Sequence, residues 1–364
     1  MEKRLNFNDI EDLFNKALSL ALENRENDLK DKDLEDVFIK VSESIDPVSD
    51  EISEMLFQSL RESQGDVVED WEGVYSDFEV RHTELWENAL SSLHALIIAS
   101  HEVGEAFARK YLEQERGSKL SVLVALHARS IQVANEVLCL LKSGYADGAH
   151  ARWRTAHEIA VVADFLASCS EVTVRKYLEH EAVESYKAMQ QYQEHAESLG
   201  LEPYSDSEIS KLEDLKVSLV KKYGKEFLGS YGWAARKLNV KKPNFYTLEA
   251  AVGIEHLRPY YRMASHNVHA NPKGINFRLG LSDGTEMFLS GPSNYGLSDP
   301  GQGIAITLGQ INVSLLRARL NLDGLVYSKV LMKFVELVQN GFSMVDLVMK
   351  ENTLNKKANE DASR

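Results

Sequence analysis

From Val48 to Glu202 the chain carries no proline, and between Gly148 and Gly200 it carries no glycine either. Apolar residues recur there at three- and four-residue spacing, which matches the helical period and not the alternation of a strand. Long helices are the economical solution. The spacing predicts helices over about 8–24, 33–45, 48–63, 66–114, 119–143, 145–169 and 172–199. The segment 66–114 exceeds the usual length of a soluble helix, so a break is expected near Gly73 or Gly104. Ser143-Gly144 reads as a helix C-cap that joins its two neighbours into a tight antiparallel αα-hairpin.

Beyond residue 200 the punctuation returns. Gly200, Pro203, Gly224, Gly229, Gly232 and Pro243 mark a helix followed by a turn-rich connector, and a shorter helix is expected to start near Pro259 and stop before Asn271-Pro272. Asp283-Gly284 lies between the short runs NFRLGL and EMFLS, a pattern that suits a type I′ turn. A small β-hairpin is therefore expected near 276–290. The loop GPSNYGLSDPGQG leads into closing helices over about 302–322 and 324–350, with a disordered tail from Glu351. The expected fold is all-α in the main, a multi-helix bundle with that one hairpin inserted.

Charge divides the 364 residues sharply. Residues 1–80 hold 23 Asp and Glu against 8 Lys and Arg, a balance of −15, and the remaining 284 hold 33 of each. The organisation expected is an acidic helical segment over 1–80, a core over 81–350 and the tail over 351–364. A whole-chain charge of −15 would argue against a polyanionic partner, but a neutral core with Lys221-Lys222 and Lys241-Lys242 permits RNA. The acidic module then repels or masks polyanions, or is a solvated helical cap. Two cysteines, Cys139 and Cys169, are no disulfide framework and suit a reducing compartment. No apolar leader follows MEKRLNFNDIEDL and no run approaches about 18 apolar residues, so a cytoplasmic protein without a membrane segment is expected.

Polar residues interrupt the helix expected over 145–169. His150, Arg154, His157 and Val161 share one face, and Glu158 stands one turn after Arg154. An Arg154–Glu158 pair that also reaches Glu136 or Arg129 would hold the bundle in register. A second constellation is Tyr260-Tyr261-Arg262-Met263-Ala264-Ser265-His266-Asn267-Val268-His269, in which Arg262, Ser265 or His266, and His269 fall along one stripe. His266 and His269 could reach one metal ion with Glu255 or His256, but a helix end where histidines offset the dipole is the simpler account, and no metal or cofactor is expected. Phosphate-cradling glycine loops, the dinucleotide fingerprint and the Gly-x-Ser-x-Gly elbow are all missing from the sequence. A di-iron bundle needs two Glu-x-x-His pairs, and only Glu79 to His82 fits.

The run Arg129, Glu136, Leu140-Leu141, Gly144, Ala149, Arg154-Thr155, Glu158 and Phe165-Leu166, followed by Tyr261, Ser265, His266 and His269, resembles the bacterial domain-of-unknown-function 5677 family over about residues 115–330. That resemblance implies a helical fold and a residue set without a reaction. More distantly, Arg152 to His157 and Arg262 to His269 satisfy the Arg-x(4 to 6)-His element of the HEPN ribonucleases, although Trp153 and Met263 replace the polar residue usual after the arginine. The likeness implies a metal-independent endoribonuclease of a bacterial stress or phage-defence system, working as a dimer. Arg262, His266 and His269 would then be catalytic, with Arg152, Arg154, His157, Glu158 and Ser265 orienting them. The alternatives are a non-enzymatic helical interaction or scaffold protein, and a small-ligand sensor with a pocket between 259–270 and 291–303.

Overall fold

The computed structural model describes residues 49–50, 52–112, 117–281 and 288–362. The helices expected over 8–24 and 33–45 lie outside them. The chain divides into two compact units, Met1–Tyr75 and Ser76–Arg364. In the first, residues 52–62 are helical and α1 (Gln64–Tyr111) begins. The expected break in α1 does not occur. Gly104 instead marks a close crossing, since a Cβ there would run into the imidazole ring of His127.

In the second unit α2 (Ser118–Lys142) and α3 (Ala146–Ala167) form the expected hairpin. Its turn is a Schellman cap: Gly144 N–H donates to Leu141 O and Tyr145 N–H to Leu140 O, with Gly144 at φ +76°. Then follow α4 (Glu171–Glu179), α5 (Glu181–His195) and α6 (Asp206–Tyr223). The single helix expected over 172–199 is thus two. The break falls at His180, whose imidazole Nε2–H donates to Gly229 O at 2.9 Å and ties this point to the connector.

The connector folds as short 3₁₀ turns with α7 (Ala235–Leu238) and α8 (Phe245–Val252). Helix α9 (Arg258–Val268) takes Pro259 in its first turn, as the sequence predicts. The Asn271 side chain then accepts from Gly274 N–H and starts α10 (Pro272–Asn276).

Two expectations for the following stretch need correction. The turn 282–287 lies outside the described residues, but its flanks 277–281 and 288–290 are not strands. The backbone N–H groups of Leu279 and Gly280 go to the Asp147 carboxylate of α3, at 3.0 and 3.4 Å, rather than to a ladder. All-α is therefore the whole description of the described residues. Helix α11 (Ser298–Leu316) starts four residues earlier than expected. Pro300 sits in its first turn, where no intrahelical N–H is needed, and Gly301 and Gly303 let Phe342 and Trp153 approach the backbone.

Helix α12 (Leu322–Ala362) closes the chain and runs through the segment expected as a tail. Its sequence from Phe342 to Ala362 contains no glycine or proline to stop it.

Helix α3 lies at the centre. One side, with Ala149, Trp153, Ala156 and Ala163, joins a core built with α1, α2, α11 and α12. The other, with Val161, Phe165 and Leu166, joins a second core with Val174, Phe227, Trp233, Phe245, Leu248 and Tyr261. A helix apolar on most sides belongs between two cores. Helix α2 is long and apolar enough to cross a membrane by length and composition. Its Val133, Ala134, Val137 and Leu141 are fully buried in the first core.

Candidate functional site

The polar residues of α3 emerge along the seam where α8 and α9 meet it. Arg154 and Glu158, four apart on α3, form the expected ion pair, with Nε 3.2 Å from Oε1. The same Glu158 oxygen accepts the Tyr261 hydroxyl at 2.7 Å, and Arg154 Nη2 donates to that hydroxyl oxygen at 2.9 Å. The guanidinium also lies 4.7 Å from the centre of the Tyr261 ring. Burial, reinforced by the Glu158 carboxylate, pushes the Tyr261 phenol up to about 12. Tyr231 is held at about 12 by burial and then by the charge of Glu158. Both phenols are neutral at ordinary pH.

A second network lies deeper. Glu249 on α8 has no solvent exposure, and neither has His157 on α3. His157 Nε2–H donates to Glu249 Oε1 at 3.0 Å, and Arg258 at the start of α9 donates to Oε2. The two networks meet at Tyr261, whose ring centre lies 5.7 Å from that of His157 and 5.1 Å from the Arg258 guanidinium. Burial lowers the His157 imidazole from its ordinary value, against the pull of Glu249. A neutral His157 with Nε2–H toward the carboxylate, and the Glu249 charge balanced by Arg258, satisfies both.

The remaining sequence-predicted residues fall elsewhere. Arg152 bonds to Glu136 and to Thr155 Oγ1 at 3.2 Å, so the contact expected between Arg154 and Glu136 belongs to Arg152. Arg129 bonds to Gln132. Ser265 Oγ–H donates to Tyr261 O at 2.8 Å, a bond within α9. His150 is buried and stacks on Trp153 at 5.3 Å, where burial holds its imidazole down at about 4. His82, half of the single Glu-x-x-His pair, bonds to Leu141 O at 2.9 Å and Asn294 Oδ1 at 2.6 Å. Among the described residues no three His, Cys, Asp or Glu side chains are grouped as metal ligands.

Arg262 and His266 occupy the adjoining, outward flank of α9 at four-residue spacing, whereas His269, expected on the same helical stripe, follows the helix as its C-cap in extended backbone. Arg262 and His269 are exposed and His266 is half-buried. They take no part in the Glu158 and Glu249 networks, so the expectation that Arg154 and Glu158 orient them directly is corrected: those two hold Tyr261. The His266 ring is positioned by Asn271. Because Asn271 Oδ1 accepts Gly274 N–H at 2.9 Å, its Nδ2 faces His266 Nδ1 at 3.1 Å and donates. The neutral His266 ring thereby keeps its proton on Nε2.

Sequence reasoning missed Glu249 and Arg258 as site residues. Nothing in NFYTLEAAV marks its glutamate as buried, and the pairing with Arg258 depends on a turn between two short helices. Asn244, which accepts Thr247 N–H at 3.0 Å and starts α8, was the available signal for where Glu249 points.

Fold and site together define an all-α bundle with two carboxylate-centred polar networks at one seam. Residues 120–287 match the model of a Family of unknown function (DUF5677), which supports the family resemblance over that segment. It includes every residue of both networks and the outward flank of α9. No curated protein and no solved structure matched the chain.

Proposed function

We propose that the outward flank of α9 binds and cuts single-stranded RNA without a metal, and that the Glu158 and Glu249 networks hold that helix in place. The observation that carries this is the division of labour on α9. Arg258 is locked by the buried Glu249 and Tyr261 by the half-buried Glu158, while Arg262 on α9 and His269 at its C-cap are exposed, and Asn271 sets the tautomer of His266 between them in sequence. The imidazole of His269, in its unprotonated form, takes the proton of a ribose 2′-hydroxyl. The 2′-oxygen attacks phosphorus, and the Arg262 guanidinium and His266 Nε2–H hold the non-bridging oxygens where charge develops. The bond from phosphorus to the 5′-oxygen breaks, and the proton held on His269 passes to that oxygen. The products are a 2′,3′-cyclic phosphate and a 5′-hydroxyl end.

The test is incubation of single-stranded RNA with the purified chain in EDTA. Cutting by the wild type, lost in His269→Ala and reduced at least about 100-fold in Arg262→Ala, supports the proposal. A second reading, a non-enzymatic interaction protein, draws on the mutual pairing of Arg154, Glu158, Tyr261, His157, Glu249 and Arg258. Under it the same variants change no RNA.

A further inference from the structure

Helix α12 is apolar on two sides. Leu331, Val335, Val338 and Phe342 are buried in the first core. About 200° round the helix, at 100° per residue, a second stripe faces solvent. Val330 is 43% exposed, Leu337 52%, Met344 68%, Leu347 61% and Leu354 67%. Together with Val326, Lys333, Asn340 and Glu351, all exposed, these positions repeat at alternating four- and three-residue spacing from 326 to 354. Four heptads of that pattern are the signature of a helix that pairs with another helix. Among the described residues this stripe stays exposed.

We infer that the stripe is the interface with a second copy of this chain, packed antiparallel about a two-fold axis at residue 342. The charges select both the occupant and its direction. Lys333 and Glu351 are the charged residues within the stripe from Val330 to Leu354, and each stands nine residues from position 342. In a parallel pair Lys333 would meet the partner's Lys333 and Glu351 the partner's Glu351, two like-charge layers. In the antiparallel pair each Lys333 meets the partner's Glu351. The same operation sets Leu337 against the partner's Leu347, Val330 against the partner's Leu354, and Asn340 against the partner's Met344. A surface that pairs opposite charges and two of its three other layers as apolar on apolar about one point suits an isologous dimer. The paired length, 25 residues from Val330 to Leu354, spans about 36 Å of helix.

Light scattering on the full chain at micromolar concentration should give twice the monomer mass of 41.0 kDa. Leu337→Glu combined with Leu347→Glu should yield monomers with unchanged helical circular dichroism. Lys333→Glu alone, and Glu351→Lys alone, should each weaken the dimer at least about tenfold, because the two-fold duplicates the repulsive contact. The double exchange Lys333→Glu with Glu351→Lys should restore wild-type affinity. A wild-type chain that stays monomeric overturns the inference. So does a dimer untouched by the leucine changes, which would use another face, or a double exchange that fails to restore affinity, which would deny the antiparallel register. Mass is read without RNA, so this outcome is independent of any cleavage.

Discussion

Glu249 holds two elements at once through its buried carboxylate. Replacing it with alanine leaves the Arg258 guanidinium unpaired and His157 without an acceptor, a change expected to cost about 3–5 kcal/mol in denaturant unfolding. Tyr261→Phe keeps the ring contacts with Phe245 and Arg258 but removes the hydroxyl from Glu158 and Arg154. It should cost about 1–2 kcal/mol and leave RNA cutting at wild-type rate, because the phenol is a neutral tie and no reacting group. Loss of cutting without loss of stability in that variant would move Tyr261 into the reaction. At this scale the sequence was partly legible. The four-residue interval between Arg154 and Glu158 announced their pair, whereas Arg152 rather than Arg154 reached Glu136, a choice made by packing and not by spacing.

Among the elements, helix positions were readable where glycine and proline were absent, and the α2–α3 turn was readable from Ser143-Gly144. Boundaries set by distant contacts were not. The break at His180 depends on Gly229, the early start of α11 on Trp153 and Phe342, and the missing strands beside 282–287 on Asp147. Gly104 shows the same limit: read as a break, it is a crossing point. His127, against which it packs, bonds to Asn312, which in turn donates to Ser100, so the ring has little freedom to retreat. Gly104→Ala should therefore lower stability by about 1–3 kcal/mol by thermal melting, although alanine is the better helix former. A variant as stable as wild type would show that α1 and α2 can separate at no cost.

For the molecule as a whole, acid should act through buried histidines. His150 is held at about 4 against an ordinary 6.5 by burial, and His127 and His157 are lowered for the same reason. The unfolded chain binds these protons first, so stability is complete above pH 6.5 and falls as the pH drops toward 4. His150 alone contributes about 3 kcal/mol to that loss. His150→Leu should melt near the wild-type temperature at pH 7.5 and show a shallower decline between pH 6.5 and 4.5; an unchanged slope would mean that His150 takes up its proton without unfolding.

The acidic excess of residues 1–80 leaves the core neutral, and a neutral core can admit a polyanion to the outward flank of α9. The most direct measurement is the fate of a labelled single-stranded RNA with the full chain in EDTA, with the new ends analysed chemically. The account predicts 2′,3′-cyclic phosphate ends from the wild type and from Tyr261→Phe, and none from His269→Ala. RNA left intact by the wild type, or cut equally by His269→Ala, would contradict it.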